Sequence, residues 1–198
     1  MDISFRIGEA ADAELIVDLI LEAGDGLFEC LLDGVVPGIR AKQLLRMAVK
    51  GEESPLNYGN AILAEGDGAV VGLALSYPAS EFGLHPVLQS LLPNARLEPF
   101  KPFFDSRPPD SWYLNSLSVV EAFRGKGLAR LLLGCCGDLA LSAGQSKLSL
   151  HVWADNDAAL KLYKTLGFDE IERIPVRLGG SRRPDSEMVL MTAPLPLA

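Results

Sequence analysis

The alternation of apolar and polar residues predicts a chain that switches repeatedly between strands and helices. Residues 3–7 alternate with a period of two and predict a first strand. A helix follows, with Asp12 as a candidate N-cap and Gly24-Asp-Gly26 at its end, and Pro37-Gly38 precedes a second helix over residues 39–50. The side chains predicted to be buried in the first helix are Leu15, Ile16, Leu19 and Ile20.

The middle and the end of the chain contain further strands. Residues 60–65 and 69–77 are strongly apolar and flank a Gly66-Asp-Gly68 turn, which predicts a hairpin covered on both faces. Later elements are predicted as a strand at 147–153, a helix at 156–166 capped by Gly167, and closing strands at 168–173 and 187–192 around a glycine-rich loop at 179–184.

Residues 78–111 form the least regular stretch. They contain seven prolines and only a short helical segment around residues 86–92. A loop of this length inside a compact domain is usually functional or disordered. Phe100, Phe103 and Phe104 favour an ordered segment, because aromatic side chains need a surface to pack against.

The stretch from Trp112 to Ala143 predicts a strand, a basic glycine turn and an amphipathic helix. The turn, Arg124 to Ala129, supplies two glycines, two cations and the free amides of a helix N-terminus, a combination that suits a polyphosphate. An ordinary strand-to-helix turn, with glycines for tightness, explains the turn alone equally well. The side chains predicted to be buried in the helix are Leu128, Leu131, Leu132, Cys135 and Leu139.

Composition narrows the class of protein. A length of 198 residues with 48% hydrophobic content fits a single domain over residues 1–198. The net charge of −8 argues against nucleic acid as a partner and weakly favours cationic substrates such as amines. No apolar run approaches the ~20 residues of a membrane span, and the three cysteines do not suggest a disulfide framework. These features predict a cytoplasmic protein without a membrane segment.

Several kinds of site are excluded by missing motifs. His85 and His151 lie far apart, and no Cys-x-x-Cys pair is present, so no metal site is expected. A Gly-x-Ser-x-Gly elbow is also absent. Gly125-Lys-Gly127 lacks both the third glycine of a dinucleotide loop and the Gly-Lys-Ser/Thr of a P-loop.

Two motifs in order resemble the GNAT N-acetyltransferase superfamily. Arg124-x-x-Gly127-x-Ala129 resembles its acetyl-CoA pyrophosphate loop, and residues 148–168 are similar to its fifth strand and its Asn-x-x-Ala…Leu-Tyr-x-x-x-Gly-Phe helix. This second half is most similar to ribosomal-protein N-terminal acetyltransferases. The resemblance implies an α/β GNAT fold, a central mixed, mostly antiparallel twisted sheet of about seven strands flanked by helices on both faces.

The resemblance implies acetyl-CoA as co-substrate and no metal. Strand residues before the loop would bind pantetheine through backbone groups freed by a bulge, with the Val119 amide facing the thioester oxygen. The loop would bind the pyrophosphate, and Asn156 would contact the pantetheine arm or cap its own helix. The implied cofactor-binding residues are Leu117, Ser118, Val119, Arg124, Gly125, Lys126, Gly127, Leu128, Ala129 and Asn156.

Two residues are candidates for proton transfer. Tyr163 aligns with the tyrosine that family members place beside the sulfur, where a phenol of pKa about 10 can protonate a thiolate. Its alternative role is a core aromatic. His151 occupies the position of a glutamate base in the ribosomal-protein enzymes, and an imidazole suits that role near neutral pH. Its alternative role is a strand histidine satisfied by a carbonyl, in which case water or Glu81 would be the base.

The acceptor is the least determined part. The resemblance implies N-acetylation of a primary amine in a direct ternary complex, on a small molecule, a peptide N-terminus or a lysine. The alternative is a non-catalytic acyl-CoA-binding regulatory module. Asp25, Glu29 and Asp33 would meet a cationic acceptor, or simply form a solvated acidic loop. The insertion at 78–111 is longer than in the family core, and it is expected to serve acceptor specificity or homodimer contacts.

Overall fold

The protein is built on one twisted sheet. A computed structural model describes residues 2–84, 86–106, 110–177 and 186–198. The sheet has seven strands in the order β1-β2-β3-β4-β5-β7-β6, and every neighbouring pair is antiparallel except β4 and β5. The strands are β1 (Ile3–Ile7), β2 (Ala61–Gly66), β3 (Ala69–Pro78), β4 (Trp112–Val119), β5 (Lys147–Trp153), β6 (Asp169–Val176) and β7 (Ser186–Pro194).

Helices cover both faces of the sheet, and two separate apolar cores result. One core joins the sheet to the first six helices, and the other joins it to the last two. The helices are α1 (Ala13–Gly24), α2 (Leu27–Leu32), α3 (Ala41–Lys50), α4 (Pro86–Leu91), α5 (Asn94–Leu97), α6 (Lys101–Asp105), α7 (Leu128–Ser142) and α8 (Asp157–Thr165). The predicted mixed, mostly antiparallel sheet of seven strands between helical layers is confirmed.

The buried faces of two helices differ from the prediction. In α1, Leu15 is exposed and Val17 is buried in its place. In α7, Leu131 and Leu139 are 52% and 38% exposed, whereas Leu133 and Cys136 are buried. Both helices carry apolar residues around much of their circumference, so periodicity alone fits more than one rotation. Packing against the sheet selects which face of each helix is buried. In α7 the buried positions lie one residue further along the chain than predicted.

Some sequence predictions fall outside the described residues. The loop predicted at 179–184 and His85 belong to this group. The three cysteines, Cys30, Cys135 and Cys136, are free thiols. Among the described helices, none combines the length and the hydrophobicity that crossing a membrane requires.

Candidate active site

The site begins where the two parallel strands of the sheet separate. β4 and β5 pair only from Trp112 to Leu114, although both strands continue beyond this point. The register between β3 and β4 shifts at the same place, because Leu75 pairs with Ser116 while Ser76 pairs with Leu114. Asn115 is therefore the extra residue of a bulge, which bends a strand and interrupts its ladder. The result is an opening that connects the two faces of the sheet.

The edge of β4 presents to this opening backbone groups that make no hydrogen bond to β3. The Val120 N–H donates to the Val71 carbonyl at 3.0 Å. Since hydrogen-bonded and non-hydrogen-bonded pairs alternate in an antiparallel ladder, the amides and carbonyls of Leu117 and Val119 point away from β3. Ser118 directs its backbone toward β3 instead. All three residues border a cavity of about 760 Å³ that runs through the opening.

The basic glycine loop follows β4 at the mouth of the cavity. Gly125 and Gly127 have φ of 72° and 82°, a left-handed conformation that favours glycine. Gly127 is the N-cap of α7, so the first amides of the helix, at Leu128 and Ala129, have no carbonyl partner within it. These two residues and both glycines border the cavity. Lys126 does not; its Nζ lies 5.0 Å from the centre of the Phe123 ring.

A carboxylate that sequence reasoning missed joins this loop to α1. One oxygen of Glu22 accepts from Arg124 Nη2 at 2.6 Å, and the other accepts from Ser118 Oγ at 2.7 Å. Arg124 Nε also donates to the Val119 carbonyl at 2.8 Å. The guanidinium that the sequence assigns to the pyrophosphate is thus already held between α1 and the end of β4. Only the contact of Glu22 across 102 positions reveals this role.

Tyr163 borders the cavity from α8, on the opposite face of the sheet from α1. Its ring packs against Phe168 at 5.5 Å between centroids, and its hydroxyl makes no hydrogen bond within the described part of the chain. Burial raises the pKa of the phenol above its ordinary value. It is therefore a protonated donor at neutral pH. Both roles predicted for Tyr163, a core aromatic and an acid, are compatible with this position.

Asn156 also borders the cavity, at the start of α8. Its Oδ1 accepts from the Ala159 N–H at 3.1 Å, which makes it the N-cap of the helix. The cap uses only the oxygen of the side-chain amide. The NH₂ group remains available to a ligand, so the two roles predicted for Asn156 do not compete.

His151 borders the cavity from β5 in an aromatic surrounding. Its Nδ1 lies 2.9 Å from the Tyr113 hydroxyl, and Nε2 is buried without a hydrogen-bond partner in the described structure. The ring stacks on Phe82 at 5.4 Å and meets the edge of Phe103 at 4.8 Å. Burial lowers the pKa of His151 to about 3, and the Ser106 backbone offsets this only in part. The imidazole is neutral but weakly basic, which weighs against its predicted role as general base.

One ring nitrogen of His151 is already engaged by a neighbouring phenol. Burial raises the pKa of Tyr113 well above its ordinary value, so this phenol keeps its proton. Its hydroxyl lies 2.9 Å from Nδ1, and the tautomer of the imidazole decides which of the two atoms donates. Glu81, the alternative carboxylate base, is exposed and does not border the cavity.

The acidic residues expected to meet the acceptor have different positions. Asp25 borders the cavity at the turn after α1. Asp33 does not; its Oδ1 accepts from the Ala41 N–H at 2.7 Å at the start of α3. Glu29 is also absent from the cavity wall. The bond to the start of α3 gives Asp33 a structural role, and only Asp25 of the three lies where it could meet an acceptor.

The proline-rich insertion provides one end of the cavity. The residues of the insertion that line the cavity are Phe82, Gly83, Leu84, Leu88, Phe100, Phe103 and Phe104. This position favours the first of the two expectations for the insertion, acceptor specificity. No cluster of three or more metal-ligating side chains occurs among the described residues.

Comparison with known proteins identifies the family. The model of the acetyltransferase (GNAT) family matches residues 43–168. The chain therefore belongs to the GNAT acetyltransferase family. Its fold resembles that of yncA from Salmonella typhimurium, a putative acetyltransferase solved with its cofactor acetyl-CoA, with a TM-score of 0.61, 19% identity, and 98% and 94% of the two chains covered.

Two curated relatives match a shorter part of the chain. Uncharacterized N-acetyltransferase YdgE of Bacillus subtilis is 41% identical over 61 residues, which are 31% of this chain and 39% of the relative. The N-alpha-acetyltransferase RimI of Mycobacterium tuberculosis is 36% identical over 64 residues, 32% of this chain and 39% of the relative. The similarity thus spans well under half the length of either relative.

Proposed function

We propose that this protein transfers an acetyl group from acetyl-CoA to a primary amine by direct attack in a ternary complex. The observation that carries the proposal is one continuous cavity. It joins the free amides at the start of α7, the unpaired edge of β4 and the Tyr163 phenol. A pyrophosphate suits the first, a pantetheine amide chain suits the second, and a departing thiolate needs the third.

The residues divide the work between the two faces of the sheet. Backbone amides of Gly125 to Ala129 hold the phosphates, and the backbone groups of Leu117 and the Val119 amide pair with pantetheine. The Val119 amide also stabilises the oxyanion. Arg124 acts mainly through the position it gives the loop, since its guanidinium is bound to Glu22 and Val119. Tyr163 protonates coenzyme A as the thiolate leaves.

The amine enters in its neutral form. No carboxylate borders the buried end of the cavity among the described residues, and burial lowers the pKa of His151 to about 3. We therefore place His151 in the wall of the acceptor site and do not assign it the role of general base. The rate then rises with pH as the amine itself loses its proton.

The test is thiol release from acetyl-CoA with a panel of amines, namely arylalkylamines, lysine, polyamines, aminoglycosides and peptide N-termini. Acetylation of any of them, with one free thiol for each acetyl group transferred, is the expected result. Coenzyme binding without turnover across the panel would instead favour a non-catalytic acyl-CoA-binding module. Calorimetric titration with coenzyme A distinguishes such a binding module from a protein that does not bind coenzyme A.

A further inference from the structure

An unusual concentration of rings forms the acceptor end of the cavity. Phe82 is its centre, with ring centroids 4.6 Å from Tyr113, 5.3 Å from Phe103 and 5.4 Å from His151. Phe104 extends the cluster at 5.2 Å from Phe103. Aliphatic side chains of α2, α3 and α4 complete this part of the wall. The surface offered to an acceptor is therefore apolar and suited to edge-to-face contact with another ring.

Four charged side chains among the described residues border the cavity, and none of them belongs to the aromatic cluster. The charged residues that border the cavity in the described structure are Glu22, Asp25, Arg124 and Arg130. Glu22 and Asp25 are exposed residues of α1 and of the turn that follows, and Glu22 is already paired with Arg124. If the acceptor carried a further ammonium group besides its reacting amine, that group would lose its hydration water among the rings without gaining a counter-ion. Such burial of an unpaired charge is unfavourable.

The insertion is anchored as a roof over the opening between β4 and β5. At one end, Arg96 Nη1 donates to the carbonyls of Cys30 and Asp33 in and beyond α2. At the other end, Ser106 Oγ donates to Glu172 of β6 at 2.6 Å. Because the insertion starts from β3, it crosses β4, β5 and β7 to reach β6. A compact acceptor fits beneath such a roof better than an extended chain.

Resting on the proposed acetyl transfer, we infer that the acceptor is a small primary amine carried on a single apolar, ring-sized body, an arylalkylamine in chemical class. The ring of the acceptor packs against Phe103 and Phe104, and its amine points toward the opening where the thioester lies. Attack forms the C–N bond of the amide and breaks the C–S bond. The amine enters neutral, its nitrogen becomes positively charged on attack, and it then loses one proton to water. Tyr163 protonates the departing thiolate and regains a proton from water.

The experiment compares kcat/KM for phenethylamine, 1,4-diaminobutane, kanamycin and a tetrapeptide with an N-terminal phenylalanine. We expect phenethylamine to exceed the diamine by about 100-fold, the range by which an apolar pocket discriminates against a buried unpaired charge. A diamine, an aminoglycoside or the peptide as the best substrate would overturn the inference and leave the proposed function intact. Turnover of none of these four acceptors, but of another amine in the panel, would overturn the inference alone. No turnover with any amine of the panel, with coenzyme still bound, would overturn both.

Variants in the insertion localise the effect. Phe104→Ala removes a partly buried ring from the cavity wall, and we expect it to lower kcat/KM for phenethylamine about 10-fold or more at an unchanged KM for acetyl-CoA. Leu91→Ala is the matched control, since Leu91 lies in the same insertion, is 46% exposed and does not border the cavity. An equal loss in both variants, or a loss for all acceptors alike, contradicts the aromatic site.

Discussion

Replacing Tyr163 by phenylalanine tests the chemistry of the site directly. The substitution removes one hydroxyl that has no hydrogen-bond partner in the described structure, so no buried group is left unsatisfied. The ring and its contact with Phe168 are retained. We therefore expect the free energy of unfolding to change by less than about 1 kcal/mol.

The effect on catalysis is expected to be much larger. A positioned general acid contributes roughly 10²–10⁴ in rate, and loss of the proton donor for a thiolate belongs at the lower end because thiolates are stable leaving groups. We expect kcat to fall about 100-fold, or ~2.7 kcal/mol in activation free energy. The Kd for acetyl-CoA should remain nearly constant, because the proposed binding mode assigns most of its contacts to backbone groups.

The assay is single-turnover thiol release with saturating acetyl-CoA and the best acceptor, so that product release does not mask the chemical step. Tyr58→Phe is the control, since Tyr58 is a partly buried phenol that does not border the cavity. An unchanged rate for Tyr163→Phe would refute the acid assignment. Burial raises the pKa of Tyr163, so the phenol should stay protonated up to at least about pH 10. A wild-type rate that decreases with rising pH below about pH 10 would therefore also refute the acid assignment.

Two further predictions concern charge. Burial lowers the pKa of His151 to about 3, so the unfolded chain, with a pKa of about 6.5, binds more protons between these values and stability is lost as pH falls through this window. We expect the free energy of unfolding, measured by urea titration, to fall by about 2 kcal/mol from pH 7 to pH 5. His151→Gln should remove this fall. An equal pH dependence of stability in both proteins would contradict the burial argument. Glu22→Gln frees Arg124 from its ion pair and should lower the Kd for coenzyme A about 3-fold at low salt, with convergence at high salt. Asp18→Asn, on the same helix as Glu22, breaks an ion pair with Lys42 of α3 and should have no such effect. Weaker binding in Glu22→Gln would refute the prediction.

Much of the donor site could be predicted from the sequence because it is local. A glycine turn after a strand and before an amphipathic helix places free amides at one point, whatever the rest of the chain does. The alternation of apolar and polar residues in the strands and the helical spacing of apolar residues in α8 could also be predicted from the sequence. These features depend on neighbours within a few residues, and the structure has each of them where the sequence predicts it.

Contacts between distant segments could not be predicted in the same way, on either side of the cavity. Glu22 reaches Arg124 across 102 positions, and nothing local distinguishes this glutamate from other exposed acids of α1. His151 looked like a base because an isolated imidazole has the right pKa. Its enclosure by Phe82 and Phe103, from an insertion with no regular pattern, makes it a weak one.

The rotation of α7 has a similar cause. Leucines on several sides of the helix satisfy the periodicity at more than one angle, and contact with the sheet selects Leu132, Leu133 and Cys136. The sequence by itself determined the seven strands, the helices α1, α3, α7 and α8, their order, and the glycine turn before α7, because hydrogen bonding and periodicity act along the chain. The short helices α2, α5 and α6 were not predicted. Tertiary structure alone decided burial, protonation and the shape of the acceptor site, because each depends on which remote side chains exclude water.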